Sequence, residues 1–313
     1  MPDLSQGGVD PVTHHGSAPD HPLRVVVLGA TGTVGRSLMP WFNAQAIDAI
    51  GVGSAQVNLC DPTSVDLLRE MVRPDDTLVI LSALTPDKGR DVSTFMKNVT
   101  MGQHLSQFLH QNPCAHVIYL SSDAVYTDGI PLIREPSCAS PSTLYGLMHL
   151  VREHLFREAL SPSRTPLLIL RPCALYGPTD THQAYGPNRF LRSAIREHAV
   201  SLFGEGEEQR DHLYLDDLSR LIGSCVRQRT SGLLNVATGL AVSFAAVAEM
   251  VAQLLEESMQ IISRSRHSPV THRRFDITAL QRAFPSLRMT PLSDGLSATY
   301  RRWRAEAEVG AAS

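Results

Sequence analysis

An α/β fold built on a parallel sheet is predicted by three observations. Short apolar runs at Val25–Leu28, Leu78–Leu81, Val117–Leu120 and Leu167–Arg171 have the length and β-branched content of buried strands. Stretches with apolar residues at helical spacing lie between them, so strand and helix alternate. Three glycines, Gly29, Gly32 and Gly35, follow the first run just where the first helical pattern opens.

Taken in order, residues 1–22 are rich in Gly, Pro, Ser, Asp and His and hold no apolar segment of the secretory kind. They read as a disordered tail in which His14 and His15 are incidental. A dinucleotide-binding domain is expected over 23–178, with helices over 34–44, 64–71, 92–110 and 144–159. Pro62 suits the first turn of the helix after Asp61. After Tyr176-Gly177-Pro178 the segments become irregular, with helices over 188–198, 216–227 and 244–256. Residues 179–313 are therefore expected to form mainly a smaller substrate-binding lobe, with segments able to return to the main sheet.

Bulk properties narrow the function classes. The chain has 313 residues, 43% hydrophobic and 19% charged, enough for a sizeable core. A formal net charge of -3 gives no field for nucleic acid or anionic lipid. No apolar stretch reaches the ~20 residues of a membrane helix. The five cysteines, Cys60, Cys114, Cys138, Cys173 and Cys225, form no CxxC pair, which fits a reduced, cytoplasmic protein. His104, His116, His182 and His212 lack metal-ligand spacing, so no metal site is expected.

The GxxGxxG turn carries the first chemistry. Gly29 permits the tight turn, Gly32 lets the backbone approach a pyrophosphate, and Gly35 allows close packing of the helix. The helix N-terminus adds positive dipole and free N–H groups. Together these predict a Rossmann-type doubly wound sheet binding NAD or NADP, with Gly29, Thr31, Gly32, Thr33, Val34 and Gly35 at the phosphates. The acid expected about 20 residues later to select the adenosine ribose is missing. The second strand, Ala49–Val52, runs into Gly53-Ser54, where Ser54 can serve either cofactor and no adjacent cation marks a 2′-phosphate.

From about Arg24 to Trp303 the motifs resemble the extended short-chain dehydrogenase/reductase group, the NAD-dependent epimerase/dehydratases acting mostly on nucleotide sugars. The resemblance rests on Asn58-Leu59-Cys60-Asp61 beside the adenine, Ser82-Ala83 at a strand end, and Asn98 on a helix. It extends through Leu120-Ser121-Ser122-Asp123-Ala124-Val125-Tyr126 to Arg171-Pro172-Cys173-Ala174-Leu175-Tyr176-Gly177-Pro178. Gly204-Glu205-Gly206 and Arg210-Asp211-His212-Leu213-Tyr214-Leu215-Asp216-Asp217-Leu218 match the substrate lobe. It implies hydride transfer, with Tyr145 moving the proton and Ser122 holding the substrate oxygen. It further implies cofactor contacts from Asn58, Leu59, Ser82, Ala83, Asn98, Tyr145 and Pro172, and a homodimer.

One position departs from that pattern. The family lysine four residues after the tyrosine is His149 here, in Tyr145-Gly146-Leu147-Met148-His149. Imidazole, with an ordinary pKa of ~6.5, is mostly neutral at pH 7 and replaces the lysine's charge incompletely. His149 is read as a substitute that bonds the nicotinamide ribose. Arg152, seven residues after Tyr145 on the same face, either supplies a charge to the site or lies at the surface, and the surface is the expectation. Asp123 is either an acid of the site or a strand-end residue bonding local backbone. Ala124 stands where dehydratases carry a glutamate base, which argues against dehydration. Arg210 either meets a substrate diphosphate or pairs with Asp211 or Asp216. Asn188 either bonds that diphosphate or caps a helix. The lysine's loss also raises a second reading, a dinucleotide-binding regulatory or scaffold protein with little catalysis.

Overall fold

A computed structural model of the chain describes residues 11–16, 24–182, 185–255 and 259–311. The strands are β1 (Thr13–His14), β2 (Val25–Leu28), β3 (Ala49–Val52), β4 (Thr77–Ile80), β5 (His116–Leu120) and β6 (Leu167–Pro172). They continue as β7 (Ala174–Tyr176), β8 (Ala199–Phe203), β9 (Gln209–Tyr214), β10 (Thr230–Val236), β11 (Ala241–Ser243) and β12 (Gln260–Arg264). The helices are α1 (Thr33–Ala44), α2 (Ser64–Met71), α3 (Val92–Gln111), α4 (Leu144–Leu160) and α5 (Pro187–Glu197). They are followed by α6 (Leu215–Gln228), α7 (Phe244–Leu255), α8 (Thr278–Ala283) and α9 (Leu292–Ala311).

The main sheet has the order β1-β10-β6-β5-β4-β2-β3, parallel throughout except at β1. Its central strands β2, β4, β5 and β6 are buried on both faces because helices cover both. Val25, Val27, Val79, Ile118, Leu168 and Leu170 face Leu38 and Phe42 of α1 and Leu218, Leu221 and Ile222 of α6. The alternate residues Val26, Leu28, Leu78, Ile80, Val117, Tyr119 and Ile169 face Leu68 of α2, Leu105, Phe108 and Leu109 of α3, and Phe156 of α4. Each such fully buried aliphatic side chain contributes about 1.5–3 kcal/mol relative to exposure.

A third cluster, including Tyr176, Phe190, Leu191, Val200, Phe244, Val247 and Leu296, forms the core of the C-terminal lobe. That lobe carries the small sheets β11-β9-β7 and β12-β8. The chain does not stay in it after residue 179: β10 returns to the main sheet beside β6, and α6 packs against α1.

The disordered-tail expectation fails for residues 11–16. Thr13 and His14 pair antiparallel with Ser231 and Thr230. His14 Nδ1 lies 2.9 Å from Thr230 Oγ1, and its ring stands edge-on to Phe284. A polar composition hid a segment whose backbone finds partners on an existing strand. The rest of that tail, residues 1–10 and 17–22, lies outside the described residues.

Candidate active site

The strand order reverses direction of growth between β2 and β4, and the crevice beyond their carboxyl ends is where such sheets take ligands. Gly29 sits there with φ +89, the left-handed region that favours glycine. A Cβ on Gly29 would lie 2.8 Å from the backbone nitrogen of Ser82, and one on Gly35 only 2.4 Å from the Ala30 carbonyl oxygen. Gly35 therefore lets α1 close on the turn itself. Gly32 is the N-cap of α1 and supplies no capping side chain, and the first turn carries no acid. The leading amides and the positive end of α1 are left to face an anion. Among the neighbouring residues, Thr33 and Gly35 are buried, Val34 is half-buried and Thr31 is exposed. The backbone cradle fits a pyrophosphate.

At the adenosine end, Gly53 closes β3 against the Thr31 side chain, and Ser54 is exposed beyond it. The sequence indicated no cation adjacent to this strand end; the structure adds Arg36, whose Nε donates to the Thr31 carbonyl at 2.9 Å. Asn58 is exposed and its Oδ1 accepts from the Cys60 amide, while the Leu59 carbonyl accepts from His104 Nδ1 at 2.8 Å. Asn98 clamps the loop after β4 by bonding both the amide and the carbonyl of Leu84. Ser82 and Ala83 are half-buried in that loop, and the Ser82 Oγ has no partner among the described residues. Pro172 is buried at the end of β6, opposite Val236.

The chemical groups gather where α4 begins. Thr143 caps α4 by accepting from the Gly146 amide. A Cβ on Gly146 would fall 2.0 Å from the Ala124 carbonyl oxygen, so only glycine lets α4 seat on the short 3-10 turn Asp123–Val125. That seating brings Tyr145 to the neighbourhood of Ser122, whose hydroxyl favours ionisation of the phenol. Burial works the other way, reinforced by Asp123, and the phenol's pKa is pushed up to about 12. Ser122 Oγ also accepts from the Ala124 amide at 3.1 Å. Asp123 has its carboxyl pKa raised by burial, against the pull of Arg273 and Arg210. Its neighbours are the Ser122 hydroxyl and Arg273 Nη1, 3.6 Å away.

His149 is buried, its ring edge-on to Tyr145 with centroids 4.7 Å apart. Its Nδ1 lies 2.7 Å from the Tyr119 hydroxyl. Tyr119 is held protonated by burial, and a buried phenol must donate its proton, so Nδ1 accepts and the imidazole proton resides on Nε2. Nε2 itself has no partner among the described residues. Burial, then the charge of Arg152, hold the imidazole pKa well below its ordinary value. His149 is thus a neutral donor and not a cation.

Arg152 overturns its sequence expectation: it is fully buried, not at the surface. Gly102 of α3 makes the room, since a Cβ there would lie 2.7 Å from Arg152 Cγ. Behind these groups Glu153 receives Ser121 Oγ at 2.6 Å and both Arg171 Nε and Nη2, at 2.9 and 2.6 Å. Sequence reasoning passed over Tyr119 because it reads as one more apolar residue of β5.

The two proposed substrate ligands are differently placed. Asn188 is 3% exposed, and its amide bonds Gly177 and Asp180; it neither caps α5, which Gly186 does, nor has a free polar atom for a diphosphate. Arg210 pairs with Glu208 and bonds Thr271, not Asp211 or Asp216. It still borders a cavity of about 450 Å³ with Tyr185, Phe203, Phe244 and Arg266. A second cavity of about 390 Å³, bordered by Leu84, Phe95, Asn98, Leu144 and Met148, opens beside Tyr145.

Residues 25–237 match the family model described as the NAD dependent epimerase/dehydratase family. The ADP-L-glycero-D-manno-heptose-6-epimerase of Pseudomonas aeruginosa is 26% identical over 261 residues, covering 72% of this chain and 76% of the relative. Among solved structures, MoeE5 in complex with UDP-glucuronic acid and NAD superposes with a TM-score of 0.77 at 24% identity, covering 90% of this chain and 99% of that one. A GDP-L-fucose synthetase from Naegleria fowleri bound to NADP gives 0.80 at 18% identity, covering 92% and 96%.

Proposed function

Because the chain belongs to the NAD dependent epimerase/dehydratase family, we propose that it moves hydride between NAD or NADP and a carbon of a nucleotide-linked sugar, as an oxidoreductase or epimerase. The observation that carries this reading is the Ser122–Tyr145 hydroxyl pair, set beside a cavity and on the same crevice as the glycine cradle. The names of the relatives, enzymes or complexes of ADP-, UDP- and GDP-linked sugars, support the substrate class.

When bound, the dinucleotide supplies the hydride acceptor or donor. The turn from Gly29 to Gly35 holds its pyrophosphate through backbone amides and the α1 dipole. Ser122 orients the substrate oxygen. Tyr145 takes the hydroxyl proton as the carbon's hydride leaves with its electron pair, and returns it in the reverse direction. Asp123 and its partner Arg273 border the same oxygen-binding corner. With alanine at 124, no second carboxylate follows Asp123 to draw a proton from carbon, so the reading excludes elimination of water.

The reading includes a homodimer across α3 and α4, where Val92, Met96 and Leu147 remain exposed. It also places the enzyme in a reducing, cytoplasmic compartment, in keeping with its free cysteines. No helix among the described residues is long and apolar enough to cross a membrane.

The test is incubation of purified protein with NAD(H) or NADP(H) and a panel of ADP-, UDP-, GDP- and dTDP-linked sugars, followed by nuclear magnetic resonance of the products. Conversion of at least one, lost in Tyr145→Phe, is expected. Binding of dinucleotide with no conversion across the panel would remove the enzymatic reading.

A further inference from the structure

A buried guanidinium with no paired carboxylate among the described residues has so far been given no role. Arg and other charged side chains are almost never fully buried unless paired. Arg152 has one hydrogen bond among the described residues, from Nη1 to the Ser82 carbonyl at 2.8 Å. Its Nε and Nη2 have none. Its guanidinium carbon stands 5.1 Å from the Tyr119 ring centroid and 5.6 Å from that of Phe156. The adjacent carboxylate, Glu153, is taken by Arg171 and Ser121.

Three residues in contact or on one helix face therefore hold buried polar atoms with no partner among the described residues: Ser82 Oγ, His149 Nε2, and Arg152 Nε and Nη2. Tyr145, His149 and Arg152 fall at i, i+4 and i+7 of α4, a spacing that aligns them. Helical side chains lean toward the N-terminus, which carries the Arg152 head back toward the tyrosine. Ser82 belongs to the loop whose backbone abuts Gly29. The unpartnered atoms thus lie between the start of α4 and the strand-end loop that abuts the glycine turn.

We propose that two duties usually joined in one lysine are divided here: His149 Nε2 donates a hydrogen bond to the cofactor's nicotinamide ribose, and Arg152 supplies the fixed positive charge that favours the Tyr145 phenolate. The division rests on the reading of Tyr145 as the acid/base. Tyr119 serves it by locking the histidine tautomer. Burial, with the Arg152 charge second, keeps His149 neutral, so Nδ1 goes on accepting from Tyr119 and the single ring proton stays at Nε2. The groups facing the Tyr145 phenol act in both directions. Asp123, from the turn after β5, and Asp87, from the loop after β4, oppose ionisation, while Ser122 and Arg152 favour it. Arg152 is a positioning residue, acting through the phenol without meeting the reacting atoms.

Two measurements that need no sugar substrate test the division. The first follows ionisation of Tyr145 by nuclear magnetic resonance of isotope-labelled tyrosine in the NAD- or NADP-loaded protein, assigned with Tyr145→Phe. Arg152→Gln should lower the phenolate fraction at a fixed alkaline pH by about tenfold, one unit of titration, while Arg152→Lys stays near wild type. The second compares binding of NADH or NADPH, whichever the protein prefers, with binding of ADP, which lacks the nicotinamide ribose. His149→Phe should weaken the dinucleotide by up to about tenfold, one hydrogen bond, and leave ADP unchanged. An unmoved Tyr145 titration in a folded Arg152→Gln protein overturns the proposal. So does a His149→Phe protein that loses ADP and dinucleotide equally. Where Arg152→Gln does not fold, loss of the wild-type titration in folded Arg152→Lys overturns it too. Absence of sugar conversion, by contrast, strikes the proposed function and leaves both titrations readable.

Discussion

Replacing Glu153 by Leu should be among the most destabilising single changes in the chain, and adding Arg171→Met should restore much of the loss. Glu153 and Arg171 are 0% and 5% exposed at their side chains and form a two-pronged pair. Removing the carboxylate alone leaves a buried guanidinium over the Tyr126 ring with no counter-charge, which costs about 3–5 kcal/mol. The Ser121 hydroxyl loses its acceptor as well, a further cost of about 1–3 kcal/mol. The single variant therefore loses about 4–8 kcal/mol, comparable to the whole stability of an ordinary domain. In the double variant the charges leave together and apolar groups of similar volume take their place. Only the Ser121 penalty and imperfect packing remain, about 1–3 kcal/mol. Urea unfolding of wild type, both single variants and the double variant, followed by circular dichroism, gives the coupling energy directly. A double variant whose loss equals the sum of the two single losses would refute the reasoning, since it would mean that neither charge depends on the other.

Two further outcomes are expected. Gly35→Ala should cut NADH or NADPH affinity at least tenfold in a fluorescence titration while the protein stays folded, because the added methyl would meet Ala30 at 2.4 Å and force the phosphate turn open; unaltered binding would contradict the cradle. Stability should fall as pH drops from 6.5 toward 4, because burial lowers the His116 pKa to about 4, so the unfolded chain takes up protons in that window that the folded chain refuses. For His116 alone this amounts to about 2 kcal/mol between pH 7 and 5. His116→Gln, which can still donate to the Thr230 carbonyl, should flatten the urea-midpoint profile by that amount, and parallel profiles would rule the histidine out.

Strands β2, β4, β5 and β6 were legible because each is a short apolar run buried on both faces, and the phosphate turn because its glycines sit at a junction of strand and helix; β1 and β10 of the same sheet were not. Ser122 and Tyr145 were legible as motif positions, although their approach depends on Gly146, whose packing against Ala124 no spacing rule announces. Arg152 was misread for a physical reason. Whether an arginine on a helix is buried depends on what faces it from another helix, and here the answer is the missing side chain of Gly102, fifty residues earlier. Asn188 was misread because its partners, Gly177 and Asp180, lie in the loop before its helix. Tertiary partners of polar groups are the information that a one-dimensional pattern lacks.

The two-residue strand at Thr13–His14 has a consequence out of proportion to its length. It lies along the outer side of β10, with His15 and Gly16 donating to the Gln228 carbonyl. Without it, that side of β10 would offer a row of unsatisfied amides and carbonyls to any other extended chain, the usual beginning of strand-to-strand aggregation. A polar leader of this kind works as a self-supplied cover for the sheet, and trimming the protein to begin at Arg24 for a tidier boundary would strip that cover away. The shortened protein should then be the more aggregation-prone of the two on gel filtration, even with every residue of the crevice intact.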